Sequence, residues 1–196
     1  MKLVIATHNK DKLVEINGIL KDLDVEIISA LDFPEMPETI EDKDTIKGNA
    51  EKKAQECADF TGLLTIADDT GLFVDALDGN PGVYAARYAG EDCSYKDNRD
   101  KMLKEMKGKD NRTAYFRTVA ALAVPGKIVG TANGEVKGSI TSKDIGTDGF
   151  GYDPIFRAVE TGRTFGEMTL AEKEKISHRA RAFRNIIPIL KENINK

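Results

Sequence analysis

The chain has 196 residues, 40% hydrophobic and 32% charged, the make-up of an ordinary globular protein with one domain or one domain plus a lobe. A formal net charge of −4 argues against a general nucleic-acid or membrane-surface binder, which would carry a basic excess, so an anionic ligand has to be met by a local cluster of Lys and Arg. No apolar run approaches membrane-spanning length, and the segment before Asn9 and Lys10 is too short for a signal peptide, so the chain is expected to be cytosolic.

In chain order, Lys2 to Ala6 is a short β-branched run that predicts a strand. Leu13, Ile16 and Leu20 then share one helical face, and Val25 to Ser29 predicts a second strand. Phe33 to Asp44, acidic and Pro-containing, predicts a surface loop. Ile46, Ala50, Ala54, Cys57 and Ala58 mark a helix that begins at Thr45 and stops at Gly62. Cys57 and Cys93 are too few and too far apart for a metal cluster or a disulfide framework, and read as reduced structural thiols. Leu63 to Ala67 predicts a buried strand ending on Asp68 and Asp69, with a Thr70-Gly71 turn before a second apolar run.

After the turn-rich stretch GNPGVYAARYAGE, Ser94 to Lys107 fits a helix with Met102, Leu103 and Met106 inward and Gly108 beyond its end. Thr113 to Val124 predicts a long strand and Pro125-Gly126 a turn. Ile128 to Ala132 and Glu135 to Ile140 predict two more strands, joined at Asn133-Gly134, a favoured hairpin turn, which makes a β meander. The glycine-rich IGTDGFGYDPIF precedes a helical C-terminus. There Thr169 and Glu172 have the spacing of a capping box, and a last helix from about Ser177 packs Phe183, Ile187 and Leu190, with Pro188 inside it. Helical crossovers beside hairpins define an α/β protein with a mixed sheet and flanking helices.

Four segments carry side chains suited to chemistry. Thr7-His8-Asn9-Lys10-Asp11-Lys12 lies where a strand ends and a helix starts, where free N–H groups and the helix dipole favour an anion; a helix cap at Thr7 or Asn9 is the plainer alternative. The G-x-x-x-x-G-K-[ST] loop is absent, which disfavours an ordinary P-loop nucleotidase. Asp68 and Asp69, closing a buried strand, need hydrogen bonds or a cation; a divalent metal near phosphate and an Asp turn bonded to its own backbone both satisfy them. Phe150-Gly151-Tyr152-Asp153 sets an aromatic and an acid in a glycine loop, able to stack on a base and read its edge, or to form a turn with a core aromatic. Lys173, Ser177, His178 and Arg179 gather donors near helix starts, where singly each is a solvated charge.

Together these segments resemble the inosine triphosphate pyrophosphatases. THNKDK is similar to that family's S/T-x-N-x-x-K signature, IADDTGL to its central acidic motif, and FGYDPIF and EKEKISHRARA to its two C-terminal motifs, in chain order over nearly the full length. NPGVYAARYAGE resembles the loop after the acidic motif. The resemblance implies that family's α/β fold, two lobes with the active site in the cleft, and a magnesium-dependent homodimer that hydrolyses ITP, dITP and XTP to the monophosphate and pyrophosphate. It also implies roles. Thr7, His8, Asn9, Lys10, Asp11 and Lys12 would hold phosphate, Asp69 would accept a proton and bind the metal, and Thr70 would touch substrate. Phe150, Gly151, Tyr152, Asp153, Lys173, His178 and Arg179 would surround the base and sugar-phosphate. The second metal carboxylate is expected at Glu41, with Glu38 and Glu35 as rivals, and Lys12 and Lys53 would supply charge to the leaving pyrophosphate.

The two roles of Asp69 oppose each other, because burial and Asp68 raise its pKa while magnesium lowers it, so ligation is the primary expectation. Donors such as Arg179 or a backbone N–H would accept the 6-oxygen of hypoxanthine and xanthine and be stranded against the 6-amine of adenine. An aspartyl-nucleophile phosphatase is disfavoured, since Asp68 and Asp69 are adjacent where D-x-D is usual. A pyrophosphatase for pyrimidine or modified nucleotides, and a non-catalytic nucleotide-binding module, are the remaining alternatives.

Overall fold

The computed structural model describes residues 1–194, and four of its helices begin where side chains satisfy free backbone groups. Helix α1 (Lys10–Leu20) starts at Asn9, whose Oδ1 accepts the N–H groups of Asp11 and Lys12 at 2.9 and 3.1 Å. Helix α2 (Ile46–Thr61) starts at Thr45, which accepts from Gly48 N–H at 3.0 Å, and stops at Gly62, left-handed at φ +71°. Capping boxes open α3 (Tyr95–Glu105), through Ser94 and Asp97, and α4 (Leu170–Ile176), through Thr169 and Glu172. Helix α5 (His178–Ile194) runs through Pro188.

The strands β1 (Lys2–Ile5), β2 (Glu26–Ser29), β3 (Leu64–Val74), β4 (Pro81–Gly82), β5 (Thr113–Val124), β6 (Lys127–Ile140) and β7 (Phe156–Ala158) form one sheet. Its order is β2-β1-β3-β5-β6-β7, with β4 on β3. Strand β1 is parallel to both β2 and β3, whereas β4 and β7 pair antiparallel with β3 and β6. The mixed α/β sheet expected from alternating crossovers and hairpins is therefore present.

Two compact units divide the described chain: residues 1–69, 118–134 and 178–194 in the first, 70–117 and 135–177 in the second. Each has its own apolar core. Leu3, Ile5, Ile16, Leu20, Ile66, Leu122 and Phe183 anchor the first, and Leu72, Met102, Met106, Phe116, Phe156 and Phe165 the second. No described helix is long and apolar enough to cross a membrane.

Two expected turns are instead strand interior, and in both a glycine makes room for other backbone. Strand β3 runs unbroken through Asp68, Asp69, Thr70 and Gly71. A Cβ at Gly71 would lie 2.9 Å from the Gly82 carbonyl oxygen and 2.7 Å from the Phe73 ring, so the glycine admits β4 rather than a turn. Likewise β6 runs through Asn133-Gly134, and the expected meander is a two-stranded hairpin. A Cβ at Gly134 would lie 2.2 Å from the His178 carbonyl oxygen and 2.3 Å from the Ala182 nitrogen, so this glycine lets α5 pack directly on the strand. Tertiary packing overrides the turn preference of Asn-Gly here.

Candidate active site

The two adjacent acids of β3 are explained by the pleat. Neighbouring side chains on a strand point to opposite faces, so Asp68 and Asp69 meet different helices. On one face Asp68 Oδ2 lies 3.3 Å from Lys12 Nζ of α1 and 3.2 Å from Arg179 Nε of α5. Arg179 also donates from Nη1 to Glu15 of α1. On the other face Asp69 Oδ1 accepts from Lys53 Nζ of α2 at 3.2 Å, Asp69 Oδ2 accepts from Asn49 Nδ2 at 3.4 Å, and Lys53 Nζ reaches Glu41 Oε1 at 2.5 Å. Asn49 and Lys53 are four apart and so share one side of α2.

Burial makes this network energetically consequential, since Asp68 is 2% and Asp69 5% exposed. Burial alone would raise Asp68, but Lys12, Arg179 and Lys53 outweigh it and hold that carboxyl well below the usual range. Asp69 moves the other way. Burial raises it, Glu41 and Asp68 add to the rise, and Lys53 and Lys12 do not cancel it. Lys12 is lowered by burial, whereas for Lys53 the three carboxylates Asp69, Glu41 and Asp68 overcome burial and raise it. The adjacent acids are thus chemically unequal: Asp68 is locked as an ion, and Asp69 is the carboxylate driven toward accepting a proton.

The first unit brings together most of the phosphate and metal residues expected from sequence. Asn9 is the helix cap, Thr7 Oγ1 accepts from Asn9 N–H at 3.2 Å, and His8 is half-buried beside them. Lys10 and Asp11 lie exposed on the first turn of α1. Glu41 reaches the Lys53–Asp69 group, while Glu35 and Glu38 are exposed and make no ion pair among the described residues. Arg179, expected around the base, is 2% exposed and engaged by Glu15 and Asp68; His178, at the start of α5, is 3% exposed.

Glu15 and Asn49 were missed by the motif reading. Their signal was a polar side chain next to a helix's apolar face, Glu15 before Ile16 and Asn49 before Ala50, positions where burial demands a partner.

The second unit holds Lys173 and the 150–153 loop that the sequence places around the base. The loop 144–153 is tied by Ile145 N–H to the Pro154 carbonyl at 2.8 Å and Asp148 N–H to the Gly166 carbonyl at 2.9 Å. At its tip Asp153 Oδ2 accepts Phe150 N–H at 2.8 Å and pairs with the Lys173 ammonium from α4, which also sits 4.9 Å from the Phe150 ring centroid. Gly149 is required here: at φ +73° it is left-handed, and a Cβ would lie 2.1 Å from Asp153 Oδ2. Gly151 is also left-handed, at φ +61°. Tyr152 instead turns into the core, its hydroxyl donating to the Ala85 carbonyl at 2.8 Å, and burial keeps that phenol protonated. Thr70, half-buried, follows Asp69 on β3.

The fold defines the class, a mixed-sheet α/β protein with a buried, charge-paired couple of carboxylates beside a capped helix N-terminus in its first unit and an aromatic-acidic glycine loop in its second. The chain belongs to the Ham1 family, whose model matches residues 3–189. It is 47% identical to the dITP/XTP pyrophosphatase of Geobacter sulfurreducens, covering 98% of this chain and 96% of the relative, and 48% identical to that of Shouchella clausii at the same coverage. Among solved structures, a HAM1 protein from Coxiella burnetii matches with a TM-score of 0.88 at 34% identity, covering 98% of this chain and 99% of that one. The Staphylococcus aureus Ham1 protein matches with a TM-score of 0.87 at 33% identity, covering 98% and 100%.

Proposed function

We propose that the chain is a nucleoside triphosphate pyrophosphatase that hydrolyses dITP, XTP and ITP to the monophosphate and pyrophosphate, removing deaminated purines from the cytoplasmic nucleotide pool. The observation that carries this reading is the convergence of Asp69 and Glu41 on one ammonium, that of Lys53. Two carboxylates already aimed at a single positive charge suit a magnesium ion that takes its other ligands from phosphate and water.

Asp69 and Glu41 would hold magnesium, and the ion, when bound, supplies charge neutralisation at phosphate oxygens. The α1 N-terminus, with Thr7, Asn9 and Lys12, grips the phosphates, and Lys12 and Lys53 offset charge developing on the leaving pyrophosphate. Asp69 acts first as a metal ligand and orients the attacking water, while Asp68 keeps Lys12 and Arg179 in place. Phe150 stacks on the base, and Asp153 with Lys173 reads its polar edge. The chain acts as a homodimer, for which light scattering should give twice the mass of one chain.

Pyrophosphate release measured across ITP, XTP, dITP, ATP, GTP and dTTP, with magnesium and with EDTA, tests the reading. Release from the three deaminated purines only, and only with magnesium, is expected; equal release from ATP or dTTP would refute it. Asp69→Asn should lower kcat more than about a hundredfold, the scale of losing a catalytic carboxylate, in a protein that still folds cooperatively. Turnover in oxygen-18 water should label the monophosphate, whereas label in the protein would indicate an aspartyl nucleophile.

A further inference from the structure

The loop 144–153 is gripped from α3. Tyr95 and Arg99 are four residues apart, so they project from one face of that helix, and both reach the loop. Arg99, whose side chain is 16% exposed, donates from Nη1 to the Gly151 carbonyl at 3.0 Å. Its Nε donates to both carboxylate oxygens of Asp144, at 3.3 and 3.1 Å. One guanidinium therefore joins the two ends of a segment whose interior has little conformational preference of its own, with Gly146, Gly149 and Gly151 all at positive φ. Above it the Tyr95 ring lies 5.8 Å from the Phe150 ring, tilted by 44°. Neither side chain belongs to the motifs that carry the chemistry.

We propose that Arg99 is a positioning residue for the nucleobase site, with Tyr95 as its aromatic brace: by clamping Asp144 to Gly151 it presets Phe150 and Asp153 before substrate arrives. The inference rests on the reading that this loop grips the base. A loop ordered in advance loses less entropy on binding, so the clamp acts on affinity and base selectivity and leaves bond cleavage alone.

Steady-state kinetics of Arg99→Ala, Arg99→Lys and Phe150→Ala test it, alongside amide hydrogen exchange of the peptide spanning 144–153. Loss of a charged hydrogen-bond clamp should raise KM for ITP about tenfold in Arg99→Ala. Its kcat should stay within about twofold, because no contact to the reacting atoms is removed. The preference for ITP over ATP should shrink, the loop should exchange faster, and Arg99→Lys, which keeps a donor, should recover part of the loss. Arg99→Ala and Phe150→Ala should combine less than additively, since both act on one loop. An unchanged KM and loop exchange in Arg99→Ala, or a fall in kcat at constant KM, overturns the proposal. If Phe150→Ala raises KM and Arg99→Ala does not, the base reading stands and the clamp alone is rejected; if Phe150→Ala leaves KM unchanged, the base reading itself fails. Should Arg99→Ala not fold, Asp144→Ala, which removes the acceptor at one end of the clamp on an exposed side chain, must raise KM and loop exchange in the same direction, and no change in either overturns the proposal.

Discussion

Asp68 has no apolar substitute and no slack. It is held between Lys12 and Arg179, and removing its charge takes a carboxylate from a half-buried ammonium and a buried guanidinium, so Asp68→Asn should destabilise the protein by about 3 kcal/mol in urea titration. The pH dependence follows from the direction of its shift. Its folded pKa lies below the ordinary 3.8, so its contribution is fully present above that value and is lost as pH falls beneath it. Wild-type stability should therefore drop below about pH 4, and more steeply than that of Asp68→Asn. Equal acid slopes for the two proteins would contradict the assignment. The cysteines differ for a related reason. Burial pushes the Cys57 thiol up to about 11, and it is 3% exposed, whereas Cys93 is half-buried near the surface. Iodoacetamide at neutral pH should label Cys93 in the folded protein and reach Cys57 only after unfolding, as read by mass spectrometry.

Glycines separate what local sequence can say from what it cannot. Gly62 behaves as a sequence signal should: it ends α2 at φ +71° with open space around its Cα, so Gly62→Ala should cost only the left-handed strain, about 1–2 kcal/mol. Gly134 has the stronger local signal, an Asn-Gly pair between β-rich runs, yet it lies inside β6 because the α5 backbone presses against it. Gly134→Ala should therefore destabilise more than Gly62→Ala, since neither the His178 carbonyl nor the Ala182 nitrogen can yield as a flexible side chain would. Thermal melts of the two variants rank them, and the reverse order would mean that α5 moves easily away from the strand. Gly71 repeats the lesson beside the Gly82 carbonyl.

At the scale of the molecule, the element order was readable because each helix carries its own caps and apolar face and each long strand its own apolar run. The Thr169 box, the Gly62 stop and the burial of Ile46, Ala50, Ala54 and Ala58 all follow from residues within one segment. Short β4 and β7 were not readable, since two or three residues have no periodicity and exist only through pairing with β3 and β6. The site divides in the same manner. Legible in the chain alone were the residue types present, a helix start with Thr7 or Asn9 as cap, the adjacent acids and the aromatic-acidic glycine loop, because motif identity and local backbone preference reside within a few consecutive residues. The folded chain was needed to show that Asp68 and Asp69 face different helices, that Arg179 serves Glu15 and Asp68, that Tyr152 belongs to the core, and that Arg99 joins Gly151 to Asp144. Those outcomes depend on which distant segments share a desolvated space, and buried charge pairing across such spaces leaves no periodic trace in the chain.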